Sequence, residues 1–492
     1  MPTSLTRRVV LGAALAAITT LAAPRSAEAQ STSPAPVRNL VFILADDLGV
    51  MDLACQGSDY YKTPHIDALA KSGIRFTNAY AAAPICSPTR AAILTGRAPA
   101  RIHLTGVIGN QARGKLETPP WLPYLQKSET TYAERFADAG FKSLHIGKWH
   151  VSTATPPTDH GFARHIAPNP KEHRRDPWQV ESYTKAAEDF IDHNKDQRFL
   201  LVISHGTPHV PLHDTKERIA EWQKRPPGKT GQNNPTMGAM IQRLDDSVGR
   251  VVKKIRDAGL EDQTAIIFTS DNGGLMDVRD PDTGKAVTAT SNLPYRGGKS
   301  QLYEGGIRIP LIIRCPGRTA AGTTSDVPVI STDLYPTFLD IVGLPPDPKQ
   351  HLDGLSLTPL FDGKGTLPRT NLFWHYPHYQ TLPPHGAVRS ANWKLIVNYE
   401  TDTAELFDLA KDPGEKNDLA VAQPDITNKL RGYLRDHLKA VGGQLPKPDP
   451  TFDPANPPPP LRTPPGIDKE SKPVGQRTPI TTGNNGAQWP SP

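Results

Sequence analysis

Asp46, Asp47, Asp271 and Asn272 form an all-oxygen donor set of the kind that hard divalent cations take. Calcium and magnesium both accept such a set. Zinc prefers nitrogen and sulfur, and the sequence has no CxxC or HExxH pattern to recruit it. Arg90, Lys148 and Lys299 add cationic groups, and His150 and His209 can move protons near neutral pH. A cation with several fixed positive groups suits the hydrolysis of an oxyanion ester. The transition state of that reaction spreads negative charge over the non-bridging oxygens, and preorganised positive groups stabilise it.

The nucleophile is the remaining requirement, and Cys86 is the residue placed to supply it. In "CSPTRAAILTGR" Pro88 fits the first turn of a helix that continues through Ala91, Ala92, Ile93 and Leu94. Residue 86 then sits at the helix N-terminus, where free N–H groups and the helix dipole favour an anion. A thiolate stabilised there would be the chemistry of a cysteine-based phosphatase. Such enzymes need C-x5-R spacing, and position 92 is Ala. A soft thiolate also sits awkwardly beside a hard, oxygen-liganded cation.

These residues are far apart in sequence, so the fold must gather them. "NLVFILADD" (39–47) is a continuous apolar run, the mark of a strand buried on both faces. "FLLVISHGTPH" and "TAIIFTSDNGG" repeat that pattern, and "TTYAERFADAGFKSLHIGKWH" reads as a helix followed by a strand. "TPHIDALAKSG" and "AMIQRLDDSVGRVVKKIRDAGL" have the spacing of amphipathic helices. Strand–helix–strand repeats predict an α/β fold with a large, mostly parallel sheet sandwiched by helices. Asp46/Asp47, Lys148/His150, His209 and Asp271/Asn272 each follow the carboxyl end of an apolar strand. In open α/β sheets the ligand crevice lies outside those ends.

From about residue 366 the texture changes. "GAVRS", "KLIVNY" and "ELFDL" predict a small antiparallel meander, and "DITNKLRGYLRDHLKAVGG" a helix capped by Asp425 and stopped by Gly442. The expected organisation is a signal peptide at 1–29, a catalytic domain at 30–365, a subdomain at 366–445 and a proline-rich tail at 446–492 without a core. The leader pairs Arg7 and Arg8 with an apolar stretch and an Ala27-Glu28-Ala29 cleavage site, which predicts export by the twin-arginine route. Its apolar stretch is shorter than the roughly 20 residues that span a bilayer, so no stable membrane anchor is expected. The destination is the periplasm or the medium. Cleavage would lower the formal charge from +6 to +4, and no basic run suggests nucleic acid. Three cysteines make no disulfide scaffold; Cys55 and Cys315 read as inert thiols, though their pairing is left open.

"CSPTR" with its downstream "AAILTGR" resembles the signature of the formylglycine-dependent (type I) sulfatases, an arylsulfatase-like family on the alkaline-phosphatase-like fold. "ADD", "GKWH", "TPHVP", "SDNGG" and "RGGKSQLYEGG" follow the family order from about Asn39 to Ala420. The resemblance implies that a maturation enzyme oxidises Cys86 to formylglycine (3-oxoalanine), whose hydrate supplies the attacking oxygen. It further implies that Asp46, Asp47, Asp271 and Asn272 bind Ca2+, or Mg2+, together with residue 86. By the same resemblance Arg90 and Lys148 hold the sulfate charge, and His209 beside Lys299 serves the departing oxygen. His150 then takes the proton that lets sulfate leave. His209 is chosen over His205 and His213 because "PHVP" matches the family pattern.

The implied substrate is a sulfated saccharide, with aryl sulfates as surrogates. Phosphate or phosphonate monoester hydrolysis and non-catalytic binding of sulfated glycans are the alternatives. "WHYPHY" (374–379) is a stretch that could stack on a sugar, or pack the two subdomains together. His103 and Arg113 are further specificity candidates.

Overall fold

Seven of the eight strands in the central sheet run in one direction, so the carboxyl ends of five adjacent strands open on one edge. The computed structural model describes residues 37–109, 112–173, 175–279 and 285–458. The leader at 1–29 and the tail beyond residue 458 lie outside the described residues.

Across the sheet the order is Thr323–Ser325, Ile74–Phe76, Leu311–Arg314, Thr264–Ser270, Asn39–Ala45, Phe199–Ser204, Lys142–Gly147 and Arg164–Ile166. Leu311–Arg314 is the one antiparallel member, pairing so with strands on both sides. The mostly parallel mixed sheet expected from the sequence is therefore present. Its central strand explains the unbroken apolar run: Leu40, Phe42 and Leu44 face one core, while Val41, Ile43 and Ala45 face the other. Helices Cys86–Thr95, Tyr132–Asp138 and Leu334–Val342 cover the first face; Pro64–Ser72, Val180–Asn194 and Pro235–Asp257 cover the second.

The predicted meander is a four-stranded antiparallel sheet, Asn371–Tyr376, His385–Ser390, Trp393–Asn398 and Thr403–Asp408. Leu372, Trp374, Ala387, Ile396 and Phe407 pack one face on Tyr80, Ala92 and Tyr303 of the larger domain. Val388, Leu395, Val397 and Leu406 pack the other on helix Pro424–Val441. That helix starts on Pro424 at its first position with Gln423 as N-cap, so Asp425 lies inside the first turn and does not cap it. Gly442 ends it in the left-handed conformation, as expected. Beyond it, Lys447–Pro448 pairs antiparallel with Leu116–Glu117. Cys55, Cys86 and Cys315 are free thiols. Cys315 belongs to one face's core and Cys55 packs against the other's. No helix among the described residues is long and apolar enough to cross a membrane.

Candidate active site

Register on the sheet delivers the predicted residues to one place. Ala45 is aligned with Ser270, Leu44 with Ser204, and Ser204 with Gly147. Asp46/Asp47, Asp271/Asn272 and Lys148 therefore leave three neighbouring strand ends side by side. Helix Cys86–Thr95 points its N-terminus at the same edge. Its first residue and Arg90 are four apart, which puts both side chains on one helix face.

Cys86 Sγ lies 3.5 Å from Asp46 Oδ1 and 4.0 Å from Asp47 Oδ1. Donor atoms of Asp46, Asp47, Cys86 and His209 all fall within 4.8 Å of one another. Asp271 is outside that group: its Oδ2 accepts from Arg90 Nε at 2.8 Å and faces Nη2 at 2.7 Å. Its Oδ1 accepts from the Asp47 amide at 3.2 Å. Arg90 Nη1 also donates to Ser204 Oγ at 2.5 Å and to the Lys148 carbonyl at 3.1 Å. Lys148 Nζ donates to Asp46 Oδ2 at 2.6 Å, and Lys299 Nζ to Asp47 Oδ2 at 2.8 Å. Asn272 Nδ2 donates to Asp47 Oδ1 at 2.9 Å, while its Oδ1 is buried with no hydrogen-bond partner.

Lys299 is held by a loop that only glycine permits. A Cβ on Gly273 would come 2.0 Å from the Gly305 carbonyl, and one on Gly306 2.0 Å from the Gln301 carbonyl. With the chains that close, the Lys299 amide donates to the Gly274 carbonyl at 3.1 Å and the Ser300 amide to the Pro84 carbonyl at 2.7 Å. Asp47, His150 and Ser300 all have positive φ, the backbone outliers that gather at functional sites.

The electrostatics follow from burying three carboxylates against three cations. Burial is the largest influence on Asp46 and pushes its carboxyl up, but Lys148, His209, Arg90 and Lys299 together hold it well below the usual range. Asp47 is likewise lowered, burial being outweighed by Lys299 and His209. Asp271 is raised, because burial and the charge of Asp46 exceed the help from Arg90. Burial, then Asp271, pushes the Cys86 thiol up. That disfavours a plain thiolate here.

The two histidines differ. His209 Nδ1 is 2.7 Å from the Val210 carbonyl, which can only accept, so Nδ1 carries the hydrogen and Nε2 is the atom 3.7 Å from Asp47 Oδ2. His150 Nε2 donates to the Ile108 carbonyl at 3.1 Å, leaving Nδ1 buried and unpartnered. Burial, with Lys148 and Arg90 adding to it, lowers the His150 pKa to about 4.

Most of "WHYPHY" packs. Trp374 Nε1 donates to the Ala81 carbonyl at 2.8 Å, His375 bonds Tyr399 and the Gln444 carbonyl, and His378 bonds Thr105 at 2.9 Å. Tyr376 alone of the six sits in the field of Lys299 and Cys86, after burial the largest influences on its hydroxyl. Arg113 lies near Asp449 of the C-terminal segment; the His103 carbonyl accepts from the Leu122 amide. Sequence reasoning missed Ser204. Its signal was available as the last residue of the strand "FLLVIS".

Comparison with known proteins gives the family. The family model described as "Sulfatase" matches residues 38–344, and that described as "N-sulphoglucosamine sulphohydrolase, C-terminal" matches residues 298–442. Arylsulfatase A of Homo sapiens is 31% identical over 84% of this chain and 90% of its own length. N-acetylgalactosamine-6-sulfatase of Homo sapiens is 28% identical over 84% of this chain and 87% of its own. The crystal structure of Ps i-CgsB in complex with k-i-k-neocarrahexaose superposes with a TM-score of 0.68 at 26% identity, covering 83% of this chain and 94% of that one. The chain thus belongs to the sulfatase family, sulfuric ester hydrolases built on the alkaline-phosphatase-like fold.

Proposed function

We propose that this chain hydrolyses sulfate esters of a saccharide, using formylglycine made from Cys86 and a divalent cation. The observation that carries the reading is the convergence of Cys86 Sγ on Asp46 and Asp47, ringed by Arg90, Lys148, Lys299 and His209. A saccharide substrate draws support from the N-acetylgalactosamine-6-sulfatase relative and from the carbohydrate bound in the Ps i-CgsB structure. Aryl sulfates serve as surrogate substrates.

The residues present fit a hard cation: three fully buried carboxylates and an Asn272 oxygen without a partner. Asp46, Asp47, Asn272 and the Oδ1 side of Asp271 would hold it together with residue 86, calcium in this reading, with magnesium compatible. The cation supplies Lewis acidity, and formylglycine supplies an attacking hydroxyl and a second one through which sulfate is released.

This chain's own residues do the rest. Arg90, fixed by Asp271, Ser204 and the Lys148 carbonyl, presents fixed positive charge to the sulfate oxygens together with Lys148. His209 keeps its Nδ1 hydrogen on the Val210 carbonyl, so it acts as the acid in its doubly protonated form, giving the Nε2 proton to the departing oxygen. Lys299, anchored on Asp47, adds charge at the same place. His150 accepts a proton at Nδ1; with its pKa near 4 it is neutral and able to do so at physiological pH.

A formylglycine-generating enzyme is the implied maturation partner, and the twin-arginine leader implies export of the folded protein to the periplasm or medium. Lysine at both Arg7 and Arg8 should abolish export; unchanged export would reject that route. For the catalytic reading, mass spectrometry of the peptide containing residue 86 is read beside turnover of 4-nitrophenyl sulfate and 4-nitrophenyl phosphate. The expected result is an aldehyde at residue 86 and preference for the sulfate. Fully active protein with an intact Cys86 thiol would reject it.

A further inference from the structure

We infer that Trp178 is a specificity residue, the platform on which the ring of the leaving alcohol lies, and that the enzyme therefore selects sulfate esters of cyclic alcohols that offer an aryl face or the C–H face of a pyranoside. This inference rests on the sulfatase reading of the site.

The loop preceding helix Val180–Asn194 holds two consecutive non-glycine residues in the left-handed region, Trp178 (φ 56°, ψ 17°) and Gln179 (φ 56°, ψ 26°). Side chains occupy that region at an energetic cost, so something must over-determine it. Gln179 is the anchor. It is buried, its Oε1 accepts from the Asn169 amide and from the Tyr183 hydroxyl, and its own amide donates to the Asp176 carbonyl at 2.8 Å.

The result is a Trp178 ring set edge-on to His209, centroids 6.0 Å apart at 75°. Gly206 makes room for it. A Cβ there would stand 2.7 Å from Trp178 Cε3. His173 lies 5.1 Å away on the same loop.

Location turns this packing into a functional statement. Among the charged residues of the site, exposure rises from Asp47 at 0% through Lys299 at 11% and Lys148 at 19% to His209 at 25%. His209 is therefore at the mouth, and the oxygen it protonates carries the leaving alcohol. Trp178, half-buried beside that histidine, is the large apolar surface the alcohol meets. Indole faces favour the C–H face of a sugar or an aryl ring, and a small alkyl group covers too little of the ring to gain much. In the sulfatase reading the sulfate itself is held by Arg90 and Lys148, and the rings that neighbour the indole are those of His209 and His173.

The test compares Trp178→Ala and Trp178→Phe on 4-nitrophenyl sulfate and propyl sulfate, with inorganic sulfate as inhibitor. The alanine variant should raise KM for the aryl ester about tenfold, the phenylalanine variant no more than about threefold. KM for propyl sulfate and Ki for inorganic sulfate should stay within about twofold in both. Unchanged KM for the aryl ester in the alanine variant overturns the proposal. So does a parallel rise in the sulfate Ki, which would mean that the indole only props up the site. If the parent enzyme turns over neither ester, the sulfatase reading itself fails, an outcome separate from the other two.

Discussion

Arg90 and Asp271 meet at one carboxylate oxygen, to which Nε donates at 2.8 Å while Nη2 stands 2.7 Å away as an ion pair without a hydrogen bond, both side chains being buried. The guanidinium is a hub: it also reaches Ser204 and the Lys148 carbonyl, and stands 3.7 Å from Asp46. A lysine keeps the charge but offers a compact ammonium with no planar fork, so it cannot serve these partners together. Arg90→Lys should lower kcat/KM for 4-nitrophenyl sulfate by about 100- to 1,000-fold, about 3–4 kcal/mol of lost transition-state stabilisation. Arg90→Ala should in addition destabilise the fold by about 3–5 kcal/mol, because Asp271 is left buried without its partner. Steady-state kinetics and thermal unfolding of the two variants separate the effects; equal activity of the lysine variant and the parent would reject the hub.

Cation removal should cost activity far more than structure. Asp46, Asp47 and Asp271 are already faced by Lys148, Lys299 and Arg90, so chelation leaves the carboxylates paired rather than repelling. Exhaustive EDTA treatment should abolish turnover and leave a cooperative unfolding transition, destabilised by about 3 kcal/mol relative to protein in cation at a hundred times its Kd. Calcium or magnesium should restore both. Full turnover after dialysis against chelator would show that the acidic cluster holds no functional ion.

What the sequence disclosed, and what it hid, follows from which forces are local. Strand-end placement of Asp46, Lys148, His209 and Asp271 was legible because two-face burial leaves an unbroken apolar run that stops where the polar crevice begins. Cys86 at a helix start was legible through Pro88 and the alanines behind it. The reversal of Leu311–Arg314 was not, since direction is set by tertiary connection and leaves no mark on four apolar residues. Trp178 was hidden for a different reason: left-handed backbone at non-glycine residues has no sequence signature, and Gln179 holds it through partners at 169 and 183. "WHYPHY" stayed open between stacking and packing because aromatics that fill a seam and aromatics that meet a ligand have the same composition; most of it packs, and Tyr376 lies near the charges of the site.

The glycine loop gives a third prediction. Gly306→Ala places a methyl 2.0 Å from the Gln301 carbonyl and 2.4 Å from that of Gly298, both backbone atoms that cannot rotate away. The loop must move, and Lys299 moves with it. We expect kcat/KM to fall at least about tenfold, equivalent to about 1.4 kcal/mol, in protein that still folds. If Lys299→Ala in the Gly306→Ala background costs as much again as it does in the parent, the loop was not positioning that lysine.

The seam between the two sheets makes a fourth prediction, on pH and stability. Lys394, Glu304 and Glu415 are fully buried, with Lys394 Nζ 2.8 Å from a carboxylate oxygen of each. Glu304 also accepts from the Tyr80 hydroxyl at 2.7 Å, and Glu415 from the Glu304 amide at 2.7 Å. One ammonium cannot offset two buried carboxylates, and the pair divides unequally. Burial raises Glu304 too, but Lys394, Arg308 and Arg389 overcome it and take its pKa to about 2. Burial dominates at Glu415, with Glu304 opposing its ionisation, and raises it to about 7. A carboxyl whose folded pKa lies above its unfolded value contributes stability that is complete below pH ~4.3 and is lost as pH rises through about 7. The parent protein should therefore be less stable at pH 8 than at pH 5 by a contribution on the order of 1–3 kcal/mol from this group. Glu415→Gln keeps the shape, removes the titration and should flatten that limb in denaturant unfolding measured across pH 5–8. Lys394→Met acts the other way: with the ammonium gone, two buried carboxylates face each other, costing about 3–5 kcal/mol at neutral pH. That loss should shrink as pH falls and both carboxyls take up protons; a pH-independent loss would mean that Lys394 acts through packing, not charge.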